Sequence, residues 1–121
     1  MTNCGMDYQH QNLASGQWSK FSFCEQMANV GAEVGRAINW KKKENPAYSQ
    51  KAFERALELL ALTIDHSKNS ARLKELTRLY EVLGDYFIGE NQYQSSDELL
   101  NKYFYNFGYA ASLARRTKPS S

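Results

Sequence analysis

The feature that most constrains this chain is its hydrophobic period. From Phe23 to Ala114 apolar residues return every three or four positions, and no stretch alternates with the period of two that a half-buried strand requires. The two prolines, Pro46 and Pro119, fall where a helix would begin and where the chain would fray, so neither interrupts a long helix. The spacing therefore predicts an all-α protein.

Capping signals divide the periodic region into four segments. Ser22-Phe-Cys-Glu25 has the form of a capping box, in which the serine oxygen accepts a backbone N–H and the glutamate reaches back to the cap. It opens a helix near 22–43 with a stripe of Phe23, Met27, Val30, Val34 and Ile38. Ala28, Gly31, Ala32 and Gly35 run beside that stripe. Each glycine costs about 1 kcal/mol of helix propensity, which predicts a neighbouring backbone close enough to use the space. Lys41, Lys42 and Lys43 then place cations at the negative end of the helix dipole. A second helix near 46–66 takes Asn45 as cap and Pro46 at its first position, where a missing N–H is harmless. Its expected inner face is Phe53, Ala56, Leu57, Leu60, Ala61 and Ile64, with Lys51, Glu54, Arg55 and Glu58 outside.

A third helix near 70–88 carries Leu73, Leu76, Tyr80, Leu83 and Phe87 and should end at Gly89 as its C-terminal cap. Ser95-Ser-Asp-Glu98 reads as another capping box, opening a fourth helix near 96–115 with Leu99 or Leu100, Tyr103, Phe107, Ala110 and Ala114 inside. Four helices of roughly 18 to 21 residues joined by short connections pack best as an antiparallel four-helix bundle. The expected organisation is a flexible arm over 1–17, a bundle domain over 18–116 and a disordered tail over 117–121.

A chain of 121 residues can bury one good core without disulfides or a metal. Cys4 and Cys24 should be reduced thiols, and the two histidines, His10 and His66, stand alone, so neither a metal nor a cofactor is expected. Fifteen Lys and Arg against thirteen Asp and Glu leave a formal charge of +2, so any nucleic-acid site must be local. No apolar run approaches the roughly 20 residues a bilayer requires, and the first residues lack a basic and an apolar region of the secretory kind. The expectation is a cytoplasmic protein with no membrane contact. Gly31, Gly35, Gly84, Gly89 and Gly108 are scattered through helices and do not cluster between a strand and a helix, which excludes phosphate loops of the P-loop and Rossmann kinds.

One constellation could carry chemistry. Arg78, Glu81 and Asp85, spaced by three and four, form a polar ridge, with Arg72 and Tyr86 completing the constellation and Tyr80, Phe87 and Tyr93 around it. Either it is a solvated face held by an Arg–Glu pair, or it lines a functional groove with a guanidinium, two carboxylates and a phenol. The helical layout and the Arg78 to Phe87 segment resemble the HEPN superfamily, whose members include dimeric ribonucleases and partners of small nucleotidyltransferases. That resemblance implies RNA binding or processing, with Arg78, Glu81, Asp85 and Tyr86 as its site residues. Asp85 stands where the family's motif has its histidine, so the acid or base of RNA cleavage is missing. From Trp18-Ser-Lys-Phe-Ser-Phe-Cys-Glu-Gln26 to Tyr103-Phe-Tyr-Asn-Phe107 the chain also resembles a family of small bacterial helical-bundle proteins, a likeness that implies no activity.

The leading expectation is a non-catalytic interaction protein that self-associates, as a dimer, or docks on a partner protein. Tyr103, Phe104, Tyr105, Phe107 and Tyr109 cannot all face one core, and the excess, Phe104 with Tyr105 or Tyr109, should centre a symmetric contact. The alternative is HEPN-like RNA binding through Arg78, Lys41, Lys42, Lys43, Arg115 and Arg116. Attachment to a membrane surface ranks third, because no helix joins a wholly basic face to a strongly apolar one.

Overall fold

The computed structural model describes residues 21–68 and 70–117, the side chains of 115–117 excepted. The expected arm over 1–17, Cys4, His10, the tail beyond 117 and the side chains of Arg115 and Arg116 lie outside the described residues. Four helices make up the fold: α1 (Phe23–Lys42), α2 (Pro46–His66), α3 (Leu73–Phe87) and α4 (Asp97–Thr117). No strand occurs among the described residues.

The helices start where the chain offers oxygen to their first N–H groups. Ser22 Oγ accepts from the Glu25 N–H at 3.1 Å and Glu25 Oε1 accepts from the Ser22 N–H at 2.8 Å, which completes the capping box of α1. Asn45 Oδ1 accepts from the Tyr48 N–H at the head of α2. The third helix begins at Leu73 and not near 70. Ser70 Oγ accepts from the Arg72 N–H while the Ser70 carbonyl accepts from Leu73, so these residues form a turn before the helix. The cap of α4 is Ser96, one residue beyond the position expected for the box. Its Oγ accepts from the Leu99 N–H, while Ser95 turns back to exchange two hydrogen bonds with the Asn91 amide.

Neighbouring helices run antiparallel. The closest approach is between α1 and α2, then between α1 and α4, and α3 leans on α2 less intimately. Met27, Val30, Val34, Ala37 and Ile38 of α1 meet Ala52, Phe53, Ala56, Leu59 and Leu60 of α2, Leu76, Leu79 and Leu83 of α3, and Leu100 and Phe104 of α4 in one core. Buried polar groups find partners: Ser49 Oγ donates to the Ala37 carbonyl at 2.8 Å, and Thr63 Oγ1 donates to the Leu59 carbonyl. Between α1 and α2 the Arg55 guanidinium meets the Glu33 carboxylate at 3.2 Å, and Arg36 reaches the same carboxylate at 2.9 Å.

The inner faces are rotated slightly from the sequence expectation. In α2, Leu59 and Thr63 are buried while Ala61 is exposed, and in α3 Leu79 takes the place expected of Tyr80. In α4 the core line is Leu100, Phe104 and Ala111, with Tyr103 and Phe107 half-buried and Ala110 and Ala114 outside. Small alanines say little about orientation, because their burial is worth little beside that of a leucine or phenylalanine one position away.

Gly31 faces α4, though what fills the space is a side chain and not backbone: a Cβ built there would lie 2.6 Å from Phe104 Cβ and 2.8 Å from Phe104 Cγ. Gly35 does not, for a Cβ there would meet nothing within 4 Å. On the opposite side of the bundle α3 and α4 are joined by side chains. Tyr103 Oη donates to Glu75 Oε2 at 2.8 Å, and the Arg72 guanidinium sits 4.1 Å from the centre of the Phe23 ring, which in turn packs edge-on against Phe107. Burial, with the Glu75 carboxylate next to it, pushes the Tyr103 phenol well above its ordinary value.

Candidate functional site

The ridge on α3 closes the corner between α3 and α4. Ile88 and Gly89 both donate to the Gly84 carbonyl, which ends the helix, and Gly89 passes so near Asp85 that a Cβ there would lie 3.2 Å from the Asp85 Cα and carbonyl oxygen. Glycine is needed at this point for closeness. The connection then doubles back through left-handed residues at Asn91 and Gln94, with φ of 56° and 57°. Its path returns two consecutive N–H groups to Asp85: Oδ1 accepts from Gln92 at 2.8 Å and Oδ2 from Tyr93 at 2.9 Å. Both oxygens of the carboxylate are thereby used on backbone donors, an arrangement in which each bond is strengthened by the charge.

One turn earlier, Glu81 Oε1 accepts from the Tyr93 hydroxyl at 3.1 Å, and the Arg78 guanidinium lies 5.7 Å from the centre of the Tyr93 ring. The hydrogen bond it donates to Glu81 raises the Tyr93 phenol above its ordinary value, because ionisation would remove the donated proton. Arg78, Glu81 and Asp85 thus converge on one segment of their own chain. What they do there is hold the α3–α4 connection in a single conformation. No periodicity announces this job, since the partner residues lie seven to fifteen positions downstream in a loop.

Tyr86 points to the other side of α3, away from the ridge's partners, and its hydroxyl donates to Asp97 at the head of α4. Burial first, and the Asp97 carboxylate second, push this phenol up to about 12. Lys41 at the end of α1 stands 4.2 Å from the centre of the Tyr86 ring, and Lys42 reaches Asp97 at 4.0 Å. Lys43 lies over the Trp40 ring at 5.2 Å. All three lysines expected to form a basic patch are exposed, yet each is directed onto a residue of the bundle. Asp97, which the sequence offered only as part of a cap, is the group that ties the ends of α1, α3 and α4 together.

Beside this cluster an open cavity of about 270 Å³ has the Phe53 and Phe87 rings as its floor, 4.9 Å apart, and Lys41 and Glu44 at its rim. Its other polar lining is satisfied within the protein, since Ser49 donates to Ala37 and Gln50 to Glu54. Among the described residues no group of three or more His, Cys, Asp and Glu side chains could hold a metal ion, and no helix is long and apolar enough to cross a membrane. Cys24 is a free, half-buried thiol.

The fourth helix divides its aromatic residues sharply. Phe104, expected to lie in a contact surface, is only 6% exposed and fills the space above Gly31. Its ring is too large to leave that glycine notch empty, so Phe104 belongs to the core and the interface expectation is corrected there. Tyr103 is half-buried and bonded to Glu75. Tyr105 and Tyr109 are 67% and 52% exposed, their rings stacked with centres 6.2 Å apart and planes inclined by 15°. No family model, no curated protein and no solved structure matches the chain.

Proposed function

We propose that the protein is a non-catalytic helical-bundle interaction protein that docks on another protein chain, a second copy or a different one, through the outer face of α4. The observation that carries this reading is the stacked pair Tyr105 and Tyr109, held on a rigid helix on the side away from Phe104 and Leu100. Two tyrosines stiffened by their helix lose little side-chain freedom on binding and bring large apolar area with a polar tip, the combination found at energetic centres of interfaces. The ridge on α3 offers no comparable reach, because Asp85 and Glu81 already accept from donors of the chain itself.

The test is a photo-crosslinking amino acid at position 109 of the full chain, with the same residue at exposed Glu54 of α2 as control. Illumination in cells should give a discrete crosslinked species from position 109, identified by mass spectrometry as a second copy or a defined partner, and none from position 54. Equal or absent crosslinking at both positions would refute the reading. The alternative, HEPN-like RNA binding or processing with Arg78 and the lysines of α1, predicts RNA affinity that falls steeply with salt. Titration of the purified protein with single-stranded RNA between low and physiological salt distinguishes the two, and binding that weakens on Arg78→Ala would favour RNA.

A further inference from the structure

The cavity at the corner of α1, α2 and α3 brings together the parts of a small-molecule site. Its floor is aromatic: Phe53 is buried, Phe87 is half-buried, and their rings lie 4.9 Å apart with planes inclined by 35°. Two opposite charges stand at its rim. The Lys41 ammonium lies 4.2 Å from the centre of the Tyr86 ring and 5.8 Å from that of Phe87, and its N–H donors meet no acceptor among the described residues. The Glu44 carboxylate accepts from no donor there, and the two side chains form no ion pair with each other although one turn of chain separates them. Exposed charges are ordinary; what sets this pair apart is the apolar floor they share and the backbone that holds one of them. Glu44 is the residue at which the chain leaves α1. Its N–H donates to the Lys41 carbonyl and the Asn45 N–H to the Trp40 carbonyl, a helix ending that places Glu44 at φ 60°, where glycine is the usual residue. Side chains held in that left-handed region at a cost in backbone energy concentrate at functional sites.

We infer that this cavity binds a small zwitterion with an aromatic side chain, of the kind a free aromatic α-amino acid presents, with its ring on Phe53 and Phe87, its carboxylate at Lys41 and its ammonium at Glu44. Size limits the occupant first. At about 270 Å³ the space falls below the roughly 300–1,000 Å³ of sites for drug-sized ligands, so it suits one ring and a short polar head. Charge limits it next. A simple anion drawn to Lys41 would stand beside the Glu44 carboxylate, and a simple cation drawn to Glu44 would stand beside the Lys41 ammonium, whereas a molecule carrying both signs is favoured at each. The Gln50 amide nitrogen donates to Glu54, which leaves its carbonyl oxygen as a second acceptor for the ammonium. A residue inside a peptide carries neither charge, so a free amino acid matches the rim better than a segment of chain. The site shares no residue with the outer face of α4, and the two readings stand or fall separately.

The experiment is titration of the ¹⁵N-labelled full chain with L-phenylalanine, followed by its backbone amide shifts. Saturable shifts concentrated over 41–53 and at 87 are expected, with a Kd on the order of 0.1–1 mM for so small a ligand in an open site. Two analogues separate the charges. L-Phenylalaninamide lacks the carboxylate and 3-phenylpropionate the ammonium, and each should bind about tenfold more weakly. Lys41→Gln should weaken L-phenylalanine by about tenfold and leave the amide no weaker, while Glu44→Gln should weaken L-phenylalanine and leave 3-phenylpropionate no weaker. Both positions are exposed, and circular dichroism of each variant confirms that the bundle is intact. Glycine, with both charges and no ring, should not saturate. Absence of saturation by L-phenylalanine up to about 10 mM overturns the inference. So does equal affinity for 3-phenylpropionate, or a variant that weakens all three aromatic ligands alike.

Discussion

Replacing Gly31 by alanine should destabilise the bundle, although alanine is the better helix former. The new Cβ would lie 2.6 Å from Phe104 Cβ, so the two helices must separate by about 0.8 Å to reach the 3.4 Å of ordinary contact. The atom in the way is the first carbon of a side chain, fixed to the backbone of α4, and no rotation of the Phe104 ring moves it. The helix itself must retreat from α1, loosening Leu100 and Phe104 in the core. Overpacking of this kind costs about 1–3 kcal/mol, against a gain of about 1 kcal/mol in helix propensity. The net expectation is a loss of up to about 2 kcal/mol. Gly35, one turn further along the same helix, meets nothing within 4 Å, so Gly35→Ala should stabilise by about 0.5–1 kcal/mol. Urea unfolding followed at 222 nm, with m-values compared to verify that the unfolding transition is the same, measures both. Opposite signs four residues apart are the expected outcome. A Gly31→Ala protein as stable as wild type would mean that Phe104 does not pack directly on Gly31, and would refute the account of the core given above.

Asp85→Asn keeps the shape but leaves an amide N–H₂ facing one of two backbone donors, and should cost about 1–2 kcal/mol, with faster amide exchange concentrated at Gln92 and Tyr93. Exchange rates unchanged at those two amides would contradict the anchoring role. Phe104→Glu places a charge in the core, so loss of the folded state by more than about 3 kcal/mol is expected, whereas Tyr105→Glu should leave thermal stability within about 0.5 kcal/mol; comparable melting curves for the two variants would be inconsistent with the burial described. The Tyr86 phenol titrates higher in the folded protein, at about 12, than its ordinary 10.0, so its contribution is complete below pH 10 and is lost as the pH rises towards 12. Allowing for solvent at the half-buried ring, the loss is about 1 kcal/mol, and Tyr86→Phe should flatten that part of the alkaline stability profile.

The sequence made the helices legible and their rotation less so. Ser22, Glu25, Asn45 and Pro46 act through neighbours three residues away, so their roles follow from the chain itself. Gly31 was legible for a related reason: a glycine in a helix interior carries a cost that only a close neighbour offsets. The same logic misjudged Gly35, since propensity cannot say which of two glycines the partner helix reaches. Phe104 was obscured by its company. With Tyr103, Phe104, Tyr105 and Phe107 in five positions, every rotation of α4 buries some aromatic ring, and the choice is made by the notch at Gly31 in another helix. The ridge of Arg78, Glu81 and Asp85 was visible as a pattern while its purpose was not. Its partners sit in a connection whose left-handed residues, Asn91 and Gln94, are not the glycines that ordinarily announce such a turn.

The carboxylate of Asp85 also bears on the order in which the chain assembles. Its two bonds close loops of seven and eight residues, which a disordered chain samples in about 10–100 ns. The meeting of Gly31 with Phe104 joins opposite ends of the described chain and must await the closure of everything between. The corner of α3 and α4 is therefore placed to form early, and the seam of α1 and α4 to close late. In a chevron experiment Asp85→Asn should slow folding, while Gly31→Ala should leave the folding rate nearly unchanged and speed unfolding. Resistance to unfolding, on this view, is set at the glycine notch, and speed of folding at the aspartate.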